Sequence, residues 1–327
     1  MRITYLDTTK GILVLGMVLA HVIQFFAADN AIMTLFSRWT NLVSFSGFFF
    51  CFGYAFYLAY LKKENIATER MTKNSFKILI AFYISAISFR LFINDSFSFL
   101  VIIDIVLLFD IPGYSEFLLS FFLVIRFAVI FSEYIKKAIL NKSLFLLSIF
   151  FCFAFTFIDY SSINSPQLGL LIGTTKYPAF PVIQYLPLFL SGAFFAHKQI
   201  GFSWTYMALA VFAIIEFMAI TLIEGKQPSR FPPSISWILG SFGLVYIYYI
   251  LSILVDKISH VSELLRTIGS NVLYWLLASN ILIFSLTLRI ERKSLTLHET
   301  IIAYLIIVCV IYYLNTITVS KKVLQRT

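Results

Sequence analysis

The chain has 327 residues, of which 60% are hydrophobic and only 13% charged, and its mean hydropathy is +0.90. Soluble domains average about 45–50% apolar and about 25% charged residues. The figures therefore exclude a soluble enzyme and predict an all-α, polytopic integral membrane protein that fills 1–327 as one domain. The net charge of +9 does not mark nucleic-acid binding, because excess Lys and Arg of a many-span chain collect in cytoplasmic loops.

The first apolar run lacks a small-residue cleavage site after it, so it is expected to be a retained span rather than a signal peptide. Its beginning, LDTTKGILVLGMVLAH from Leu6 to His21, sets Asp7 and Lys10 just before the apolar helix and one histidine deep within it. At 1.5 Å per residue, the step from Lys10 to His21 covers roughly 16 Å and returns to within about 20° of the same face. In a hydrocarbon core about 30 Å thick, Lys10 sits near one interface and His21 near the midplane. Asp7, three residues earlier, is placed to pair with Lys10. An imidazole at that depth needs a partner or a polar cavity, so it either bonds between packed helices or serves a site.

Runs near the required length of about 20 residues fall at about 11–28, 41–61, 75–94, 115–133, 143–158, 181–196, 203–223, 234–255, 270–288 and 298–318. These predict about ten transmembrane helices. An eleventh is added if 96–110 spans, but that run is short, carries Asp104 and ends in Ile111-Pro112-Gly113. Three basic clusters bear on this: Lys62, Lys63, Arg70 and Lys73; Lys136, Lys137 and Lys142; and Lys321, Lys322 and Arg326. All share the cytoplasm with the N-terminus if 96–110 is re-entrant or interfacial. Arg289, Arg292 and Lys293 then face outward, against the rule. The one long connection, 159–180, is rich in Ser, Asn, Gly and Pro and falls outside.

Several ionisable groups lie at membrane depth. Arg90, before Asn94 and Asp95, is expected to snorkel at a span end. Arg126 is mid-span and needs a carboxylate or bound anion, which Glu116, ten residues earlier, cannot supply. Glu216 is expected to pair helix to helix. Glu116 follows a Pro-Gly turn at a helix start, where its charge suits the macrodipole, leaving capping and catalysis both open. In RFPPS, Arg230 to Ser234, the prolines stiffen a helix entry and Ser234 is a candidate cap. Arg230 is then either an interfacial anchor or a cation beside free N–H groups that favour an anion or oxyanion. Cys51, Cys152 and Cys309 have no metal-type spacing and are read as packing residues. His197, His260 and His298 fall at loop or span ends, and no soluble-enzyme motif is present.

Four blocks, in order, resemble the membrane-bound acyltransferases of the acyltransferase-3 family and its heparan-α-glucosaminide N-acetyltransferase-type relatives. They are YLDTTKGILVLGMVLAHV, FFFCFGYAFYLAY, the basic stretch Arg70–Lys77, and RFPPSISWILGSFG. Weaker likenesses are YSEFLLSFF and QYLPLFLSGAFFA. Lys10 stands where the family more often has Arg, and Phe52 replaces a usual Ser. In IGSNVLYWLLASN, Leu276 and Ser279 occupy the places of a common Tyr-x-x-His.

The resemblance implies transfer of an acyl group, by default acetyl, from a coenzyme A thioester to a hydroxyl of a cell-envelope glycan. The acceptor class implied is a saccharide or lipid-linked glycan, and the location a bacterial inner membrane. His21 is the implied general base, with Glu116 and Arg230 beside it as catalytic residues. Asp7, Lys10, Arg70 and Lys73 are assigned to acetyl-CoA, the co-substrate, and no metal is called for. An acyl-histidine intermediate is the alternative mechanism. A transporter or flippase of a lipid-linked glycan is the alternative function, weakened by the lack of an evident internal repeat.

Overall fold

The computed structural model describes residues 3–63, 68–94, 98–174, 177 and 180–324. Among these residues the chain is helical and has no strand. The helices are α1 (Thr4–Phe26), α2 (Ala31–Phe56, extended by Tyr57–Leu61), α3 (Thr68–Ile93), α4 (Phe99–Val106) and α5 (Glu116–Ile130). They continue with α6 (Ser132–Leu140), α7 (Lys142–Ala154), α8 (Pro166–Ile172), α9 (Val182–Lys198) and α10 (Trp204–Glu224). The last four are α11 (Ile235–Val255), α12 (Ser259–Ser270), α13 (Val272–Leu286) and α14 (Leu297–Leu324). Asp95 and Arg326, named above, lie outside the described residues.

Each of the ten apolar runs falls on helix. Six helices are long and apolar enough to cross a membrane: α1, α2 with its extension, α3, α10, α11 and α14. The number rises to eight if α5–α6 and α12–α13, bent by 81° and 79°, each count as one span. Of the other two runs, α7 belongs to a shorter apolar helix, and α9 has 17 residues with Pro187 inside. Among its described residues the run at 96–110 forms the eight-residue α4, about 12 Å long at 1.5 Å per residue, too short for a core of about 30 Å.

The centre of the bundle is α1, α2 and α11, whose apolar windows are 67%, 72% and 56% buried, against 11% for α10. On α10 the side chains of Phe212, Leu222 and Ile223 point outward, as expected of a lipid-facing helix. In lipid, helices associate by close packing, and small residues allow it. A Cβ on Gly53 of α2 would overlap the Phe189 carbonyl of α9, and one on Gly192 of α9 would overlap that of Phe50. Likewise Gly269 of α12 sits against the Asp7 carbonyl of α1.

The two ends of the bundle are fixed by polar contacts. At one, Asp256 after α11 accepts from Thr4 Oγ1 and Thr8 Oγ1 of α1, each at 2.7 Å, and from Arg266 Nε of α12 at 2.8 Å. Burial works against the charge of Asp256, but hydrogen bonds from Arg266, Thr8 and Thr4 outweigh it and hold its carboxyl below the usual range. The start of α1 and the end of α11 therefore lie together, and Arg230, before α11, belongs to the opposite end. There Arg90 pairs with Asp110, Nε to Oδ2 at 2.8 Å and Nη2 to Oδ1 at 2.5 Å, so it is a two-point ion pair rather than a snorkelling cation. Arg126 pairs with no carboxylate among the described residues; its Nη1 donates to Thr72 Oγ1 at 3.0 Å. Glu216 does bridge helices as expected, accepting from Ser236 Oγ at 2.7 Å. Cys51 and Cys152 are buried, whereas Cys309 is exposed on α14.

Candidate functional site

The site forms because α5 starts inside the bundle. Ser115, just before it, is buried and bonds Ser85 of α3, Oγ to Oγ, at 2.8 Å. Asn280 of α13, fully buried, donates Nδ2 to Ser85 Oγ at 3.0 Å and to the Tyr114 carbonyl at 2.8 Å. A carbonyl only accepts, so these bonds fix which end of the amide is nitrogen. Tyr114 follows Gly113 with φ of 65°, a left-handed turn that is costly for a bulky residue unless its surroundings hold it. Its ring is thereby set perpendicular to that of His21, with centroids 5.1 Å apart. Glu116 follows one turn residue later on the same wall.

The entry to α11 supplies the cation. Ser234 caps the helix as expected, its Oγ accepting from Trp237 N–H at 3.2 Å. Arg230 lies over the rings of Phe231, Phe180 and Trp237, at 4.5, 5.2 and 5.8 Å from their centroids. Aromatic faces stabilise a desolvated guanidinium and leave its edge free for hydrogen bonding. Phe180 is itself held through its carbonyl, which accepts from Ser120 Oγ of α5 at 2.8 Å.

His21, Glu116 and Arg230 line a single cavity of about 330 Å³, together with Gln24, Asn41 and Ser44. His21 Nδ1, Ser44 Oγ, Glu116 Oε2 and Arg230 Nε are all buried without a hydrogen-bond partner among the described residues. Each such group costs about 1–3 kcal/mol, and native folds keep few of them. Four around one mostly apolar cavity form the arrangement of a polar-ligand site. Asn280, which holds the Tyr114 carbonyl beside His21, has its own Oδ1 likewise buried without a partner among the described residues.

A second cavity, of about 490 Å³, lies towards the start of α1 and is lined by Lys10, Asn74, Lys77, Gly269 and Ser270. Phe48 borders both cavities. Lys10 pairs with Asp7 at 2.5 Å, as the spacing predicts. The two residues assigned on α3 lie elsewhere. Lys73 pairs with Glu69 on an exposed surface, with 70% of its side chain accessible, and Arg70 is exposed; neither lines the cavity. Arg70, Asn74 and Lys77 share one helical face, and the cavity takes the latter two because Arg70 stands about 6 Å further out along the axis than Asn74 and about 10 Å further out than Lys77. His197 bonds the Tyr57 hydroxyl at 2.8 Å and lines neither cavity.

Sequence reasoning missed Asn280, Lys77 and Gln24. An asparagine midway along an apolar run is itself a signal of a polar partner at depth, and Gln24 is one turn beyond His21 on α1. Comparison of the chain with family models, with curated proteins and with solved structures finds no match.

Proposed function

We propose that the protein is a membrane-embedded acyltransferase, moving an acetyl group from acetyl-CoA to a hydroxyl of an envelope glycan. The observation that carries this reading is the pair of cavities that meet at Phe48. One has His21, Glu116 and Arg230 on its wall, and the other has Lys10 and Lys77 at the opposite end of the bundle. Lys10 and Lys77 hold the phosphates of coenzyme A, and the pantetheine arm runs along α1 past Phe48 to His21.

Asn280 Oδ1, unpartnered among the described residues in the resting geometry, is the acceptor to which His21 Nδ1–H turns in the reacting complex, which leaves Nε2 unprotonated and facing the cavity. Nε2 takes the proton of the acceptor hydroxyl as its oxygen attacks the thioester carbonyl. The tetrahedral oxyanion is stabilised by Arg230, and Glu116 orients the acceptor through its free carboxyl oxygen. Collapse breaks the carbon–sulfur bond. The coenzyme A thiolate takes the proton from the imidazolium, and the acceptor leaves as its ester. The apolar walls keep water from the thioester.

In this account the chain crosses the membrane ten times, counting α7 and α9, in a bacterial inner membrane, with Lys10 on the cytoplasmic side and Arg230 on the outer side. Mass analysis of envelope glycans from cells with and without the gene tests the reading. An acetyl group present only with the gene is expected. Unchanged glycan masses, with altered distribution of a lipid-linked glycan between the leaflets, would replace the enzyme by a flippase.

A further inference from the structure

A third cavity, of about 290 Å³, opens at the Arg230 end and is lined by Gln24, Phe25, Phe89, Tyr114, Arg292 and Lys293. Gln24 and Tyr114 also line the His21 cavity, so the two share a wall. The cations are held in place by the backbone. Lys293 N–H donates to the Phe25 carbonyl at 3.1 Å, Leu295 N–H to that of Phe26 at 2.8 Å, and Ala28 N–H to that of Leu295 at 2.8 Å. This short ladder clamps the segment after α13 onto the end of α1. Arg292 stands over the Phe25 ring at 5.7 Å; that ring is 4.7 Å from Tyr114, which touches His21.

Neither Arg292 nor Lys293 joins an ion pair among the described residues. Among the described residues no carboxylate lines the cavity, although Glu291 is next in sequence. Two cations on the outer side run against the usual charge distribution of membrane proteins, and a ligand of opposite charge accounts for them. On the acyl-transfer reading, we infer that this vestibule binds an oxyanion carried by the acceptor. The acceptor is an acidic glycan, with a sugar carboxylate or a diphosphate link, whose charge rests on Arg292 and Lys293 while a hydroxyl reaches past Tyr114 to His21. A guanidinium over an aromatic ring, with its edge open, suits two-point binding of such a group.

The test measures binding apart from transfer. Envelope glycans from the producing cells are separated by anion exchange into neutral and acidic pools. Each pool is titrated onto the full chain in nanodiscs of zwitterionic lipid, without acetyl-CoA. The acidic pool is expected to bind. Arg292→Gln with Lys293→Gln should weaken that binding about tenfold, the effect of losing roughly one charge-assisted hydrogen bond, while Arg292→Lys alone keeps most of it. Loss of binding after carboxyl reduction assigns the anion to a sugar acid, and loss after mild acid cleavage assigns it to a diphosphate. Equal binding of the neutral pool, an unaffected double variant, or binding that survives both treatments overturns the inference. A wild-type chain that binds the acidic pool but transfers no acetyl sinks the acyl-transfer reading and leaves the vestibule standing.

Discussion

Replacing Asn280 with Leu removes one side chain that serves two purposes. The Tyr114 carbonyl loses the donor at 2.8 Å and Ser85 the one at 3.0 Å, in a place with no solvent access. His21 loses the acceptor proposed to hold its tautomer. Leaving a buried N–H unsatisfied costs about 1–3 kcal/mol, and each 1.36 kcal/mol is a factor of ten in rate. The expected fall in kcat is therefore roughly 10- to 100-fold, no more than the lower end of the about 10²–10⁴ that general-base catalysis contributes. Acceptor KM should change little, because Asn280 does not line the His21 cavity. The assay is single-turnover acetyl transfer by reconstituted protein, normalised to the monodisperse fraction, beside thermal unfolding of the same sample. A variant with a lowered unfolding midpoint but wild-type kcat per folded molecule would refute the positioning role and leave Asn280 as a packing residue.

Lys10→Ala should raise the KM for acetyl-CoA about tenfold, a charge-assisted contact's worth, with acceptor KM unchanged, and Lys10→Arg should largely restore it; steady-state kinetics with the reverse pattern would move Lys10 to the acceptor. Phe48→Trp places a larger ring where the two cavities meet and should lower kcat by about tenfold or more, since small misplacements of reacting groups cost up to about 100-fold; undiminished turnover would show that the donor takes another route. Single cysteines at Lys63, Lys137, Ser162 and Gln227, treated with an impermeant thiol reagent on intact cells, should be protected at the first two and labelled at the last two. Labelling of Lys137 with protection of Gln227 would place Arg230 on the donor's side and reassign it to a coenzyme A phosphate.

Much of the architecture was legible because membrane spans impose long apolar runs, and each of these runs proved helical. Crossing number was less so. Hydropathy sees apolar length but not the bends after Ile130 and Ser270, where an apolar helix and a shorter, more polar one meet at a sharp angle. The site was legible where spacing on one helix decides it: the Asp7–Lys10 pair and the Ser234 cap both follow from helical geometry. Long-range partners were not. Nothing local tells Arg90 that its carboxylate lies at Asp110, or Arg126 that it meets a threonine of α3. On α3 the basic stretch was recognised, but its helical face was not followed one turn further to Asn74 and Lys77. Asn280 is hard to single out from sequence because a lone amide in an apolar run does not say which helix will supply its partner.

The central claim is that His21 is the base for acetyl transfer. Purified wild-type and His21→Ala proteins, reconstituted in lipid with labelled acetyl-CoA and the acidic glycan pool, decide it. The account predicts labelled glycan from the wild type and a loss of at least about 100-fold from the variant, with both proteins equally folded and inserted. Substantial transfer by a well-folded His21→Ala protein would contradict it, removing His21 both as base and as acyl carrier.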